Sequence, residues 1–506
     1  MKKLILILLG LIFMSKTVFA IYITPGNYRS WTLDSLVAYS NGHITYSGGI
    51  YFFNDTLVVS QSDTIKILYN ATIKMAFKGF VNVYGTFIIN PPDSVKITAI
   101  DTSQKFIGFK LDSLSDASVF KRLIMEYGNS IYLMYCDMLI DSCILRYNYY
   151  YTSGLRSGAI YLFFSNPTIS NNKIFRNIRA AIASGANVSS SPKIINNIIY
   201  ENDLENYNTP QINLGAASSV PVIIKNNIIR GGIATNSGGI SVLPVGTVPF
   251  IQIENNIIKN NRYGIAFQGS NINAYIVNNI IDSNNIQGLP MLGGSGLNFN
   301  GTSTLQAIVS RNKIRWNLWG ITIQNTAKPN FGNLNTPDTT DIGLNWIYGN
   351  SHNDTILDLY NNTPDTIWAQ NNWWGTSILD SIEAHIFHKP DNPSLGFVNY
   401  IPYRITTGIT LSSYQNRISG YRLLEAYPNP FNITTSISFE LFEKGVVSLY
   451  IYDISGRKIQ TLINEQQLLP GFYRYLFNAE NFASGIYFIN IIFNNLNTTK
   501  KIILLK

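Results

Sequence analysis

Cysteine is scarce in this sequence of 506 residues, which contains only Cys136 and Cys143. Two cysteines exclude a scaffold stapled by several disulfides and a zinc site of four cysteines. Charge is sparse as well, because 13% of the residues are Asp, Glu, Lys or Arg, whereas 46% are hydrophobic. A disordered chain lacks that much apolar surface, so the composition predicts a folded protein.

Long apolar runs are also missing after the first twenty positions. A helix that spans a membrane needs about 18 apolar residues or more. We therefore expect no transmembrane helix once those twenty positions are removed. Residues 1–20 have the pattern of a secretory signal peptide, with Lys2 and Lys3, a short apolar stretch and the small-residue ending Val18-Phe19-Ala20.

In an exported chain a disulfide between Cys136 and Cys143 is chemically feasible. Two buried thiols are the alternative, because seven residues of strand and turn can hold their Cα atoms too far apart.

Basic clusters are absent too. The formal net charge of +8 is small for this length, and the predicted signal peptide carries three of the lysines and no acid. No stretch is rich in Lys and Arg, although nucleic-acid-binding proteins need such a stretch to neutralise phosphates. We therefore expect no nucleic-acid partner.

A short repeat organises the middle of the sequence. Asn is followed by any residue and then by Ile or Trp, usually with a second Asn in front, and successive copies are 23 to 33 residues apart. The repeated asparagines are Asn172, Asn197, Asn227, Asn256, Asn279, Asn312, Asn345 and Asn372. A Gly before an apolar residue often follows, as at Gly264-Ile265 and Gly320-Ile321. Gly and Asn tolerate the left-handed backbone angles of tight turns.

Each repeat is too small to bury its own apolar face. Stacked copies about 4.8 Å apart would bury a continuous column of Ile and pair every strand with its neighbours. The pattern therefore predicts an all-β protein built as a parallel β-helix. In that fold the repeated Asn side chains can form a hydrogen-bonded ladder at one turn of each coil. A row of ligand-binding amides is the alternative interpretation.

The region from Tyr46 to Tyr403 resembles the right-handed parallel β-helix repeat family, the pectate-lyase-like superfamily in its broad sense. Residues 55–100 look like the N-terminal coils and cap of that family. The segment Asn371-Asn372-Trp373-Trp374-Gly375-Thr376 and the residues after it are similar to its closing segment. The resemblance implies a right-handed parallel β-helix with an N-terminal cap over residues 21–405.

The pattern changes after Pro402. Residues 406–424 are rich in Thr, Ser and Tyr and are predicted to be a linker, and residues 425–506 alternate like the strands of a small antiparallel β-sandwich. This last region resembles the type A C-terminal sorting domain of the type IX secretion system. The residues that carry the resemblance are Tyr427, Pro428, Asn429, Pro430, Phe431, Asn432, Gly456, Arg457, Gly485 and Lys501. It implies the type IX machinery as a partner and a secreted or outer-membrane surface location, with the protein released or attached to surface lipopolysaccharide.

No catalytic residue can be assigned from the sequence. Enzymes of the resembled family hold Ca²⁺ with acidic clusters, and glycoside hydrolases use closely spaced carboxylates. The repeats here are poor in acids, and their spacing does not place two or three on one face. No cofactor is evident, and Ca²⁺ is expected only if the protein is a lyase. His385 and His388 are a weak metal signal.

Aromatic residues are more frequent in the loops than charged ones. Tyr147-Asn148-Tyr149-Tyr150-Tyr151 adjoins one coil, and Trp316 and Trp319 flank a turn. Aromatic faces stack on sugar rings, and Asn supplies hydrogen bonds, so we expect a carbohydrate-binding or adhesive protein with polysaccharide as a further partner. Packing of these loops onto the solenoid is the alternative for the aromatics. A polysaccharide lyase or glycoside hydrolase is the alternative for the function.

Overall fold

The computed structural model describes residues 21–149, 158–185, 188–215, 220–244, 250–290, 295–405, 421–423, 426, 428–441, 444–469, 471–494 and 496–506. The predicted signal peptide, residues 406–420 of the predicted linker, Tyr150, Tyr151 and Tyr427 lie outside these ranges. Two compact units are distinguished. The first comprises the described residues of Met1–Asn330, Asn345–Ile367 and Trp374–Asn399, and the second those of Phe331–Leu344, Trp368–Trp373 and Tyr400–Lys506.

Three long sheets make up the first unit, and within the described residues their coil-to-coil pairings are parallel. The largest has 14 strands among those residues. Its strands are Ile21–Ile23, Thr56–Val59, Phe80–Val83, Gly108–Leu111, Ser130–Met134, Gly158–Phe163, Ala180–Ser184, Ile212–Leu214, Ile240–Val242, Ile265–Gly269, Ser295–Gly301, Trp319–Asn325, Leu359–Asn362 and Ile386–Phe387.

The other two long sheets have 13 and 12 described strands. The 13-stranded sheet contains Ile44–Ser47, Ile50–Phe53, Ala71–Met75, Val95–Ala99, Leu123–Glu126, Ile144–Arg146, Lys173–Phe175, Ile198–Tyr200, Ile228–Arg230, Ile257–Lys259, Ile280–Asp282, Lys313–Arg315 and Trp346–Tyr348, the first pair being antiparallel. The 12-stranded sheet contains Ser30–Trp31, Thr64–Ile67, Thr86–Ile89, Val119–Lys121, Leu139–Asp141, Thr168–Ser170, Lys193–Ile195, Val222–Lys225, Phe250–Glu254, Ile272–Val277, Leu305–Ser310 and Lys328–Asn330. The chain visits the three sheets in turn, which is the course of a parallel β-helix.

Alternating side chains of each strand point into the solenoid. In the 13-stranded sheet the middle residues of consecutive strands are in register, from Ile174 to Ile199 and onward. They form a column in which every isoleucine is fully buried: Ile174, Ile199, Ile229, Ile258, Ile281, Ile314 and Ile347. Each buried side chain of this size contributes about 1.5–3 kcal/mol. The predicted Ile column is thus the core of the solenoid.

A ladder of asparagine amides lies at the corner where each coil passes from the 12-stranded to the 13-stranded sheet. From Asn172 through Asn345, the Nδ2 of each Asn donates to the Oδ1 of the next at 2.9–3.0 Å. The backbone N–H of each donates to the same Oδ1 at 2.8–3.0 Å. The second Nδ2 hydrogen reaches a backbone carbonyl of the preceding coil, as from Asn256 to Ile224 at 2.9 Å. Asn372 lies in the second unit, where its Nδ2 donates to the carbonyls of Phe331 and Ala369.

The residue in front of each ladder Asn makes the turn. At Asn171, Asn196, Asn226, Asn255 and Asn278 the backbone angle φ lies between 57° and 58°. Asn adopts this left-handed conformation more readily than most residues. The repeated Asn-Asn pair therefore combines a turn residue with a ladder residue.

A second ladder lies at the next corner, five residues farther along most coils. Its first segment joins Asn148, Asn177, Asn202 and Gln211, and its second joins Asn261, Asn284, Asn317, Asn350 and Asp358. The segments do not join, because the coil between them carries Gly232 five residues after Asn227. The Oδ1 of Asn261 is accordingly buried without a hydrogen-bond partner among the described residues.

The two cysteines occupy different corners of the solenoid. The backbone N–H of Cys143 donates to Asn172 Oδ1 at 2.8 Å, so Cys143 stands at the start of the first ladder. The N–H of Cys136 donates to Ser165 Oγ at 3.0 Å. Both thiols are free and buried, and burial raises the pKa of each to about 12. Two buried thiols, rather than a disulfide, are therefore found.

The N-terminal end of the solenoid is organised by one carboxylate. Asp63 is buried and accepts hydrogen bonds of 3.0–3.2 Å from the N–H groups of Gly26, Asn27 and Arg29 and from Nε1 of Trp31. Burial on its own raises the pKa of this carboxyl, but the hydrogen bonds outweigh that effect and hold the pKa below its usual range. The short helix Leu33–Tyr39 follows, capped by Thr32 and Ser35, with Leu33 and Leu36 buried.

The closing part of the first unit has short elements. Strands lie at Ser351–His352, Thr355–Ile356, Ile367–Trp368 and Val398–Asn399, and a helix spans Leu379–Ala384. Among the described residues no helix combines the length and the apolar character needed to span a bilayer.

The second unit contains two antiparallel sheets. One has the described strands Tyr421–Leu423, Thr434–Leu441 and Gly471–Asn478, and the other has Lys458–Leu468, Gly445–Asp453, Gly485–Phe493 and Leu496–Leu504. Tyr421–Leu423 falls inside the segment that the sequence predicts as linker. A core of fully buried side chains includes Ile437, Phe439, Leu449, Ile489 and Phe493. The predicted all-β class, with a parallel β-helix followed by antiparallel C-terminal sheets, is confirmed.

Replacing Asn256 by alanine should lower the free energy of unfolding of the full chain by about 2–4 kcal/mol, because several buried partners lose their hydrogen bonds. These are the carbonyl of Ile224 and the amides of Asn227 and Asn279. Urea denaturation followed by circular dichroism measures the change. The control Asn273→Ala, at an exposed strand position, should shift stability by less than about 0.5 kcal/mol. Equal losses in the two variants would contradict the structural role of the ladder.

Replacing Asp63 by asparagine should destabilise the protein most at neutral pH. The folded pKa is lowered, so the carboxylate stabilises the fold fully above its unfolded-state pKa of about 3.9, and this contribution disappears as the pH falls through the folded value. Thermal unfolding compares the two proteins at neutral pH and at a pH of about 3. The difference in Tm should shrink on acidification, and a difference that does not depend on pH would show that the charge of Asp63 is unimportant.

Candidate functional site

A cleft of about 270 Å³ lies on the outer face of the 14-stranded sheet. Its floor is a row of outward residues from four adjacent strands, Asn213, Ser241, Ala266 and Asn298, which are paired in register. The remaining lining residues are Asn208, Pro210, Leu243, Arg262, Tyr263 and Gln268. The parallel pairing of the coils thus places polar side chains from distant parts of the sequence side by side.

Tyr263 forms one wall of the cleft and lies against Gly238. A β-carbon at Gly238 would approach Cζ of Tyr263 to 2.1 Å, so only glycine leaves room for the ring. Burial raises the pKa of the Tyr263 phenol, although a hydrogen bond with Ser241 and the charge of Arg262 act in the opposite direction. The phenol is therefore neutral and retains its O–H.

Arg262 supplies the positive charge of the cleft. Its backbone N–H donates to the Ser237 carbonyl at 2.8 Å, and its Nη1 donates to Oδ1 of Asn208. Its Nε–H is buried and has no hydrogen-bond partner among the described residues. Burial lowers the pKa of Arg262, but a guanidinium stays protonated in proteins. An unpaired buried donor of this kind costs about 1–3 kcal/mol.

The loop that carries Asn208 is held by a buried carboxylate. Asp203 accepts hydrogen bonds from the N–H groups of Tyr207 at 3.2 Å and Thr209 at 3.0 Å. Burial raises the pKa of Asp203, while these hydrogen bonds and the charge of Arg179 oppose the rise. Asp203 therefore fixes the loop beside the cleft, although it is not among the residues that line it.

The polar groups of the lining are amides, a hydroxyl, a phenol and one guanidinium, and none of its described members is a carboxylate. Such a set both donates and accepts hydrogen bonds at many points. It suits a ligand with many hydroxyl groups, whereas glycoside hydrolysis usually requires two carboxylates beside the scissile bond.

Of the aromatic residues singled out in the sequence, Tyr147, Trp316 and Trp319 lie elsewhere. Tyr147 stacks on Tyr127 with ring centroids 5.9 Å apart, and Trp319 meets Tyr360 edge to face at 5.8 Å. Trp316 is half-exposed and lies under the guanidinium of Arg315. These rings pack against other parts of the solenoid surface and do not line the cleft.

The histidines near the end of the solenoid also have structural partners. His388 is buried, its Nδ1 accepts from the N–H of Val398 at 2.9 Å, and its Nε2 lies 3.1 Å from Glu383. Nδ1 of His385 lies 3.3 Å from the buried carboxylate of Asp358. In the described part of the chain no three His, Cys, Asp or Glu side chains are grouped closely enough to hold a metal ion.

Sequence reasoning missed Arg262 and Tyr263. An isolated Arg-Tyr pair has no distinctive spacing, and Asn208 contributes from 54 residues away. The available signal was the doubled glycine Gly238-Gly239, where the following coils have the single glycines Gly264, Gly296 and Gly320. At Gly239 the carbonyl oxygen of Gly264 in the next coil comes too close for a β-carbon, and at Gly238 the ring of Tyr263 does. The two glycines therefore make room for different neighbours.

In the second unit, the two ends of the predicted sorting motif meet. The side chain of Asn429 accepts from the N–H of Ile503 at 2.9 Å and donates to the carbonyl of Lys501 at 3.3 Å. Phe431 is buried and exchanges backbone hydrogen bonds of 2.9 Å with Ile503 and Leu505. The segment around Asn429 thus lies along the strand Leu496–Leu504.

The other predicted sorting residues have local roles. The carbonyl of Pro428 accepts from Oγ1 of Thr435 at 2.7 Å, and that of Asn432 accepts from the N–H of Thr434 at 2.8 Å. Gly456 has a φ of 80°, which makes the turn after Asp453 possible. Nε of Arg457 lies 3.1 Å from Oδ2 of Asp453. Pro430 follows Asn429, Gly485 begins a strand, and Lys501 lies in the strand that pairs with it.

Comparison with known protein families gives a match in the second unit. Residues 425–505 match the family described as the secretion system C-terminal sorting domain. No curated protein and no solved structure matches the chain. The resemblance to pectate-lyase-like proteins therefore stays a prediction, and the predicted sorting domain is confirmed. The protein is a parallel β-helix chain whose residues 425–505 form a C-terminal sorting domain of the type IX secretion system.

Proposed function

We propose that this protein, exported through its sorting domain, binds carbohydrate at the cell surface or in the medium through the cleft at Arg262 and Tyr263. The polar lining of the cleft, with the Arg262 guanidinium and no carboxylate among its described members, is the observation that carries the proposal. Amides, a hydroxyl, a phenol and a guanidinium can donate to and accept from the hydroxyl groups of a sugar.

The row that forms the floor of the cleft supports a polymeric ligand. Asn213, Ser241 and Asn298 lie on one line across the sheet, with Ala266 between Ser241 and Asn298. Neighbouring strands are about 4.8 Å apart, so the three polar side chains spread over about 14 Å. A polysaccharide presents hydroxyl groups along such a length. Because the backbone of the coils fixes this row, little side-chain entropy is lost on binding.

A lyase or hydrolase is the other candidate class. Glycoside hydrolases place two carboxylates about 5–10 Å apart across the scissile bond. The described residues that line the cleft contain no such pair, and Asp203 is engaged with the backbone of its own loop. The geometry therefore supports binding better than hydrolysis.

Replacing Arg262 by glutamine should weaken polysaccharide binding about tenfold or more, because the charged donor to the ligand is lost. Glycan-array screening of the exported full chain identifies the ligand, and affinity electrophoresis in that polysaccharide measures the change. Arg230→Gln is the matched control, since Arg230 lies on the 13-stranded sheet and is similarly accessible.

The control should bind like the wild type. Absence of binding by the wild type to every polysaccharide tested would contradict the proposal, and so would equal affinities of the Arg262 variant and the wild type. Release of reducing sugar or unsaturated products by the wild type would favour the enzymatic alternative.

A further inference from the structure

The outer face of the four-stranded sheet in the sorting domain carries an unusual row of side chains. Lys458, Tyr452, Phe488 and Lys501 are paired in register across the four strands, one from each. Their sequence neighbours, such as Ile451, Ile489 and Ile502, point inward and are buried. The row, which we call the aromatic row, therefore consists of two partly exposed aromatic rings with a lysine at each end.

A cleft of about 440 Å³ adjoins the aromatic row. Its lining includes Tyr452, Phe488, Ile492 and the turn residues Ile454 and Gly456. Ile454 is 74% exposed, and no described contact of the core requires it. Exposed apolar side chains grouped in this way mark interaction surfaces.

Some residues of the sorting motif are buried in the core of the domain, and others lie on this outer face. Phe431 packs into the core of the domain, where it meets Phe477 with ring centroids 5.8 Å apart. Gly456 and Lys501, by contrast, are exposed and lie beside or within the aromatic row. The turn angle accounts for Gly456, and a β-carbon there would meet nothing. The side chain of Lys501 is exposed and is not part of the domain core.

The charge pattern of the row indicates the chemistry of its partner. Nζ of Lys458 lies 4.4 Å from the ring centre of Tyr450, close to the row and at the surface. Lys501 is exposed at the opposite edge. An apolar surface flanked by carboxylates would bury the two rings and pair with both lysines.

We propose that the aromatic row is the surface by which the folded sorting domain docks onto a component of the type IX secretion machinery that presents an apolar patch flanked by acidic residues. The family match supplies the class of partner, and the row supplies the site. The inference does not depend on carbohydrate binding by the solenoid, so either can fail without the other.

The test uses the full chain expressed in a bacterium that has the type IX system. The double variant Tyr452→Ser with Phe488→Ser should reduce the fraction found at the surface and in the medium by about tenfold and leave the protein in the periplasm, as expected when interface anchors are lost. Leu476→Ser is the matched control, because Leu476 is an exposed apolar residue on the outer face of the other sheet. Immunoblots of the cell fractions give the distribution.

A second double variant, Lys458→Glu with Lys501→Glu, keeps the rings and reverses the charge at both ends of the row. It should also reduce export, and thermal unfolding of the purified chain should match that of the wild type. Normal export of a stably folded aromatic variant would overturn the proposal, as would an equal defect in the Leu476 control. If the aromatic variant does not fold, the lysine variant decides, and its normal export would overturn the proposal.

Discussion

Two ladders of buried amides hold two corners of this solenoid, and the placement of the strands between Cys143 and Asp358 depends on them. A coil that turns sharply leaves backbone carbonyls and N–H groups inside the protein, where an unpaired group is costly. Asn can pair these backbone groups because its short side-chain amide both donates and accepts hydrogen bonds. The same residue type can therefore be repeated in successive coils. The three-residue strands of the 13-stranded sheet lie between the ladders and, apart from Ile228–Arg230 beside the break at Gly232, have both of their ends held.

Because the ladders and the isoleucine column lie inside the solenoid, its outward side chains can differ from coil to coil. The outward positions of the 13-stranded sheet carry ion pairs and stacked rings, such as Glu126 with Arg146 and Phe175 with Tyr200. Those of the 14-stranded sheet become polar near Asn213 and Asn298, and there the loops bring in Arg262. Surface chemistry can thus vary along the solenoid without loss of the fold.

The architecture could be predicted from the sequence because its causes are local and repeated. Asn at each corner, Ile in the core and Gly at close approaches recur at coil spacing. The second ladder could have been found by the same reasoning, since Asn177, Asn202 and Asn261 follow the first ladder by five residues. The cleft could not, because it depends on one Arg-Tyr pair and on a loop from another coil, and neither is repeated. The sorting domain was predicted from its distinctive motif, but the aromatic row appears only once strand register is known.

The pairing of Asn429 and Phe431 with residues 501–505 links the beginning of the sorting domain to a strand that the ribosome makes more than seventy residues later. A chain that lacks residues 496–505 leaves Asn429 and Phe431 without these partners and the four-stranded sheet without its edge strand. This side of the domain therefore assembles only when both segments are present.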